Sequence, residues 1–139
     1  MSVFVVDASV AAKWVFPESH TENSLRLLTD RNRLHAPDFL FAELDNVVCK
    51  RIRRDEINQA EGNRVREALR RFPVQMHSFL PLLDPAYEIA VRSGRSLYDC
   101  LYVALAVLLD GEMVTADRRL HDGLAAGPLS KSVLWVEEL

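Results

Sequence analysis

Cysteine, glycine and proline are all scarce in this chain, and the shortages narrow its chemistry. Its two cysteines, Cys49 and Cys100, make neither a Cys-x-x-Cys pair nor a disulfide framework, so a reducing, cytoplasmic setting is expected. Five Gly and six Pro in 139 residues exclude a collagen-like or low-complexity chain. The longest apolar run, Cys100 to Leu109, is ten residues, whereas about 20 are needed to cross a bilayer, so it reads as a core helix. The opening Met1-Ser2-Val3-Phe4-Val5-Val6 has no basic flank and meets Asp7 too early for a signal peptide. There is no Walker A loop, no Gly-x-Gly-x-x-Gly and no Gly-x-Ser-x-Gly, which removes the usual phosphate cradles and the serine-nucleophile elbow. His20, His35, His77 and His121 show no metal-ligand spacing.

What is present is globular: 49% hydrophobic and 27% charged residues, with a formal net charge of −3. The charge is uneven. Between Lys50 and Arg71 eight basic residues face four acids, a local excess of positive charge that allows a polyanion partner. Short β-branched runs at Val3–Val6, Leu34–Ala36, Val74–Phe79, Glu112–Thr115 and Ser132–Val136 alternate with helical patterns. The helices are expected over 8–15, from a Ser19/Glu22 capping box to about 31, over 38–54 with Asp38 as N-cap, and over 57–72. Three more are expected: from Pro85 to Arg92 with Gly94 as its stop, over 96–110, and over 117–124. Such alternation predicts a single domain over residues 1–139, a three-layer α/β/α sandwich around a mostly parallel sheet.

In sheets of that kind ligands gather beyond the carboxyl ends of the strands. Asp7 follows the first strand and Asp117 follows the fourth; each is also a natural N-cap for the helix it precedes. Glu43 falls on the apolar stripe of its helix with Leu40, Leu44 and Val47, where a carboxylate needs a partner such as an Arg or a cation. Asp99 opens the most apolar helix in a Ser96-x-x-Asp99 capping pattern. If the four converge, repulsion must be relieved, because two charges about 4 Å apart cost on the order of 4 kcal/mol at an effective dielectric near 20. Raised pKa values or a divalent cation would relieve it, and oxygen-only donors favour a hard ion, Mg²⁺ or Mn²⁺.

Four segments carry a resemblance. Val5-Val6-Asp7-Ala8-Ser9-Val10, Ala36-Pro37-Asp38-Phe39-Leu40-x-x-Glu43-x-x-Asn46, Ser96-Leu97-Tyr98-Asp99-Cys100-x-Tyr102-x-Ala104-Leu105-Ala106 and Val114-Thr115-Ala116-Asp117-x-x-Leu120 resemble, in order and spacing, the motifs of PIN-domain ribonucleases. Length and motif wording are most similar to VapC-type toxins of prokaryotic toxin–antitoxin pairs. Cys100 is a departure, standing where the family has alanine or another small residue. The resemblance implies a Mg²⁺-dependent endoribonuclease with Asp7, Glu43, Asp99 and Asp117 as its acidic site. Asp7, Asp99 and Asp117 would be metal ligands, Glu43 would hold the ion or orient the attacking water, and Ser9 and Thr115 would support the site through their hydroxyls. It further implies a cation-activated water as nucleophile, Mn²⁺ as an accepted substitute, a homodimer, and a cognate antitoxin whose C-terminal segment obstructs the pocket.

Arg64, Arg66, Arg70 and Arg71 are candidate contacts to the RNA backbone; an arginine-rich solvated helix face is the alternative. Three other functions fit parts of the pattern. They are an aspartyl-nucleophile phosphotransferase, which would want a second Asp where Ser9 stands, a non-catalytic RNA- or protein-binding module, and a structure-specific DNA nuclease. Trp14, Phe41, Tyr98 and Tyr102 offer stacking surfaces or core packing.

Overall fold

The computed structural model describes residues 2–139. Strand β1 (Ser2–Val6) leads into a short helix α1 (Ala8–Ala11), which tightens into a 3-10 turn over Ala12–Trp14, and then α2 (Thr21–Leu25). Strand β2 (Asn32–Pro37) is followed by the helical pair α3 (Leu40–Arg53) and α4 (Gln59–Leu69). Strand β3 (Val74–His77), a 3-10 turn at Leu80–Leu82, α5 (Leu83–Ser93) and α6 (Leu97–Leu108) come next. Strand β4 (Glu112–Thr115), α7 (Arg118–Ala125) and β5 (Val133–Trp135) complete the order.

The five strands form one sheet in the order β3-β2-β1-β4-β5, every neighbour parallel. Phe4 faces Leu34 on one side and Glu112 on the other, so β1 is the central strand. Its β-branched Val5 and Val6 are fully buried, as expected for a strand covered on both faces. The chain winds outward from β1 in one direction through β2 and β3, then returns to add β4 and β5 on the other side. The carboxyl ends of β1 and β4 therefore flank the switch point, where an α/β sheet opens a crevice. With helices in all crossovers this is the expected α/β sandwich. Helix α6 is its buried centre, enclosed without interruption from Cys100 to Ala106. Among the described residues no helix is long and apolar enough to cross a membrane.

Two expected caps are absent. Ser19 does not cap α2: Thr21 Oγ1 accepts from the Glu18 amide (2.9 Å) and donates to the Glu18 carbonyl (2.8 Å), so helix begins only at Thr21 after a left-handed His20. Asp38 does not cap α3, whose N-cap is Phe39; its Oδ1 instead lies 3.4 Å from the Phe79 amide and tethers the loop after β3. Helix α4 takes its start from a reciprocal Asn58–Glu61 capping box.

At the opposite end of the sheet β4 enters against β1 with no room to spare. A Cβ on Gly111 would lie 2.6 Å from the Val3 carbonyl oxygen, which belongs to the backbone of the central strand and cannot swing aside. Gly111→Ala is expected to cost about 1–3 kcal/mol through overpacking, read as a lower midpoint in urea unfolding. An unchanged midpoint would show that β1 yields at Val3.

Candidate active site

Asp7 leaves β1 in extended conformation and caps α1, its Oδ1 accepting from the Val10 amide at 3.0 Å. Two hydroxyls complete its environment. Ser9 Oγ donates to Oδ1 and Thr115 Oγ1 donates to Oδ2, both at 2.6 Å. The same hydroxyls accept in turn, Ser9 Oγ from the Ala116 amide (3.1 Å) and Thr115 Oγ1 from the Asp117 amide (3.0 Å). Two side chains thus stitch the carboxyl ends of β1 and β4 together around one carboxylate. Asp7 is only 7% exposed, and burial pushes its carboxyl up to about 6 against the downward pull of the Ser9, Thr115 and Val10 hydrogen bonds, with the Asp99 charge adding to the rise.

Asp99 sits in the first turn of α6, placed there by Ser96, whose Oγ accepts from the Asp99 amide at 3.1 Å. Burial raises its pKa; the Ser96 hydroxyl opposes this, the charge of Asp117 adds to it and Arg95 lowers it. Asp117, exposed, caps α7 through Oδ1, which accepts from the Leu120 amide at 3.1 Å. Glu43, in the first turn of α3, is raised by burial and again by Asp99, with the Tyr102 hydroxyl opposing. Asp99 is therefore the hub: its charge acts on Asp7 and Glu43, and it feels that of Asp117.

The structure thus brings Asp7, Glu43 and Asp117 each into electrostatic reach of Asp99. Glu43 departs from its expected setting. It is half-buried at the rim of an open cleft of about 490 Å³ lined by Phe39, Ala42, Asn46, Ser96, Tyr98 and Asp99. Its partner is the phenol of Tyr102, which donates to Oε1 at 2.6 Å. Sequence reasoning left Tyr102 among the stacking or packing aromatics. The missed signal was a hydroxyl inside the buried run Cys100–Ala106, because a buried Tyr O–H has to find an acceptor.

The arginines do not join the acids. Arg64, Arg66 and Arg70 lie on α4 or at its end, Arg71 just beyond, all exposed, and none lines the cleft. Arg66 and Arg70 converge on Asp45 with contacts at 2.9 Å, and the Arg66 hydrogen bond leads in holding that carboxyl below its usual range. Arg70 also lies 4.9 Å over the Phe41 ring.

The donor set suits a hard divalent cation. Every candidate ligand is a carboxylate oxygen, Glu43 Oε2 and Asp117 Oδ2 accept no hydrogen bond among the described residues, and three of the four acids already resist ionisation. Among the described residues no three His, Cys, Asp or Glu side chains are grouped closely enough to hold a metal ion.

Residues 4–123 match the family described as PIN domain. Ribonuclease VapC3 of Pyrobaculum aerophilum is 33% identical over 124 residues, which cover 88% of this chain and 95% of that protein. Among solved structures, PAE2754 from Pyrobaculum aerophilum superposes with a TM-score of 0.73 at 24% identity, covering 99% of this chain and 91% of its own. A toxin–antitoxin complex from Klebsiella pneumoniae superposes at 0.64 and 15% identity, covering 96% of each chain. At those identities the structural matches speak for the fold.

Two outcomes follow from the geometry. In the folded chain Asp7 titrates at about 6, against roughly 3.9 when unfolded. Both states hold the proton below about pH 4; from about 4 to about 6 the unfolded chain releases it while the folded chain keeps it, so stability falls across that window and levels off above it. In EDTA, Asp7→Asn is therefore expected to match wild type near about pH 4 and to exceed it by roughly 1–3 kcal/mol above neutrality, measured by urea unfolding across pH. A gain independent of pH would mean that the carboxylate is solvated. Tyr102→Phe keeps the ring and removes the bond to Glu43; it should cost about 1–2 kcal/mol and move the Glu43 titration, followed by carboxyl-carbon NMR, to higher pH. A titration that stays in place would dismiss the bond.

Proposed function

The chain belongs to the PIN domain family, and from that membership we propose that it is a metal-dependent endoribonuclease, the toxin of a toxin–antitoxin pair. One observation carries this reading. Asp7, Glu43 and Asp117 each interact electrostatically with Asp99, and the deepest of them, Asp7, is held by two hydroxyls and an amide rather than by a cation of the chain. A buried carboxylate beside further acids, in a cleft whose lining holds no arginine or lysine, suits a ligand that brings positive charge. The curated VapC ribonuclease relative, aligned over most of both chains, supports the same activity.

Asp7, Asp99 and Asp117 would hold the cation, Mg²⁺ with Mn²⁺ as substitute. When bound, it would supply Lewis-acid stabilisation of the phosphate charge and ease deprotonation of water. The chain's own groups do the rest. Ser9 and Thr115 fix both oxygens of Asp7, so the site is organised before substrate arrives. Tyr102 fixes Glu43 by Oε1, leaving Oε2 to orient the attacking water and accept its proton. Water adds to phosphorus, the P–O3′ bond breaks and O3′ takes up a proton, leaving a 5′-phosphate and a 3′-hydroxyl.

Arg64, Arg66, Arg70 and Arg71 track the RNA backbone outside the cleft, positioning it without reading sequence. The partners are an RNA substrate, a cognate antitoxin that obstructs the cleft, and a second copy of the chain. Exposed Tyr87 and Val91 on α5 and Leu108 on α6 offer apolar area for such contacts. The compartment is the cytoplasm.

The antitoxin-free protein should cut total cellular RNA into discrete fragments bearing 5′-phosphates in Mg²⁺ or Mn²⁺. EDTA should abolish the cutting, and Asp7→Asn or Asp99→Asn should reduce it by about a hundredfold or more. Fragments unaffected by EDTA, or no fragments from folded, metal-supplied protein, would leave the chain a binding module on a nuclease fold.

A further inference from the structure

Resting on the nuclease reading above, we propose that Tyr98 is a base-stacking residue and that, with Asn46, it forms a subsite for one unpaired nucleobase beside the carboxylates.

Four aromatic rings gather at this end of the sheet. Phe39 is the middle one, edge-to-face with Phe79 (centroids 5.9 Å apart), Tyr102 (5.3 Å) and Tyr98 (6.0 Å). Tyr102 is buried and its hydroxyl is spent on Glu43, while Phe39 and Phe79 are partly covered. Tyr98 alone is presented, 65% exposed in the first turn of α6 one residue before Asp99. It is exposed without being loose, because the Phe39 ring backs it in a perpendicular arrangement. A large aromatic backed by another ring and left in water beside Asp99 offers its face to a flat partner.

Cleft charge decides what that partner is. The lining holds Glu43 and Asp99 and contains no lysine or arginine. The arginines of α4 lie elsewhere, two of them tied to Asp45. Arg95 acts on Asp99 from outside that lining, so the lining itself offers a phosphate no cation, and the base is the part of a nucleotide it can hold. Stacking is indifferent to the acidic surroundings, since every base has a π-face and Tyr98 carries no charge. Asn46 lies one turn beyond Glu43 in the same lining, exposed, its amide without a partner among the described residues. It offers a donor and an acceptor to a base edge. Ala42, small, lines the cleft beside them. Paired bases hide both face and edge, so the ligand is single-stranded: a loop, a bulge or an end.

Full-length wild type, Tyr98→Ala, Tyr98→Leu, Tyr98→Phe and Asn46→Ala are compared on a random-sequence, single-stranded oligoribonucleotide pool with 2-aminopurine in place of adenine. The same pool annealed to its complement is the control. Wild type should quench the 2-aminopurine fluorescence of the single strands and leave the duplex bright. Tyr98→Ala and Tyr98→Leu should lose the quenching and raise KM about tenfold while kcat holds; Tyr98→Phe should retain both. Asn46→Ala should alter which sites are cut more than how fast. Leu performing as well as Phe would overturn stacking. Wild type that cuts while Tyr98→Ala matches it in KM and quenching would overturn the subsite and leave the nuclease standing. Tyr98→Ala altering only sedimentation would make Tyr98 a contact between copies and overturn the subsite too. Wild type that neither quenches nor cuts would remove both readings.

Discussion

A single carboxylate, taken out of water and held by two hydroxyls, organises this molecule. Asp7 lies where the central strand ends, and its hydrogen bonds reach Ser9 on its own chain segment and Thr115 at the end of β4. Sequence separation between Asp7 and Thr115 is the largest among the bonds that build the site, so the contact can form only when β1 and β4 are already paired. The same bonds orient Ala116 and Asp117 by their amides. Fold and site are thereby one structure. Burial of a charge that would otherwise be ruinous is tolerable because three donors meet it, and even so its proton is held more tightly than in water.

The remaining acids share that logic through Asp99. It belongs to the first turn of α6, a helix whose middle is enclosed on every side and so is fixed in position by packing. A capping serine sets where the helix starts and thus where Asp99 points. Glu43 is anchored to the same helix from outside by Tyr102. Two helices and two strands therefore carry one acid each, and the positions of all four trace back to caps, buried apolar runs and one phenol.

Much of this was legible in the sequence. Parallel topology followed from alternating runs, and the strand at Glu112–Thr115 has the bounds the pattern indicates. Gly94 terminates α5 in the left-handed conformation that favours glycine. The places of Asp7 and Asp117, capping helices just after strands, and of Asp99, three residues after the capping Ser96, were legible from local rules. Other features were opaque for physical reasons. Ser19 and Asp38 looked like caps, but a cap depends on the direction in which the chain enters the helix, and tertiary contacts set that direction. Glu43's partner lies 59 residues away on another helix, beyond any spacing rule. The arginines' ion pairs with Asp45 arise from α4 packing on α3 and leave no mark in either segment alone.

The outer strands of the sheet have a consequence for how this molecule meets others. Strands β3 and β5, at the two margins, are four and three residues long. A neighbour seeking to extend the sheet by main-chain pairing finds little to grip at either margin, which is one way natural sheets avoid indiscriminate edge-to-edge association. Any lasting complex must therefore draw its area from the helical layers. A sheet with margins this short thus limits its company to partners able to read helix surfaces.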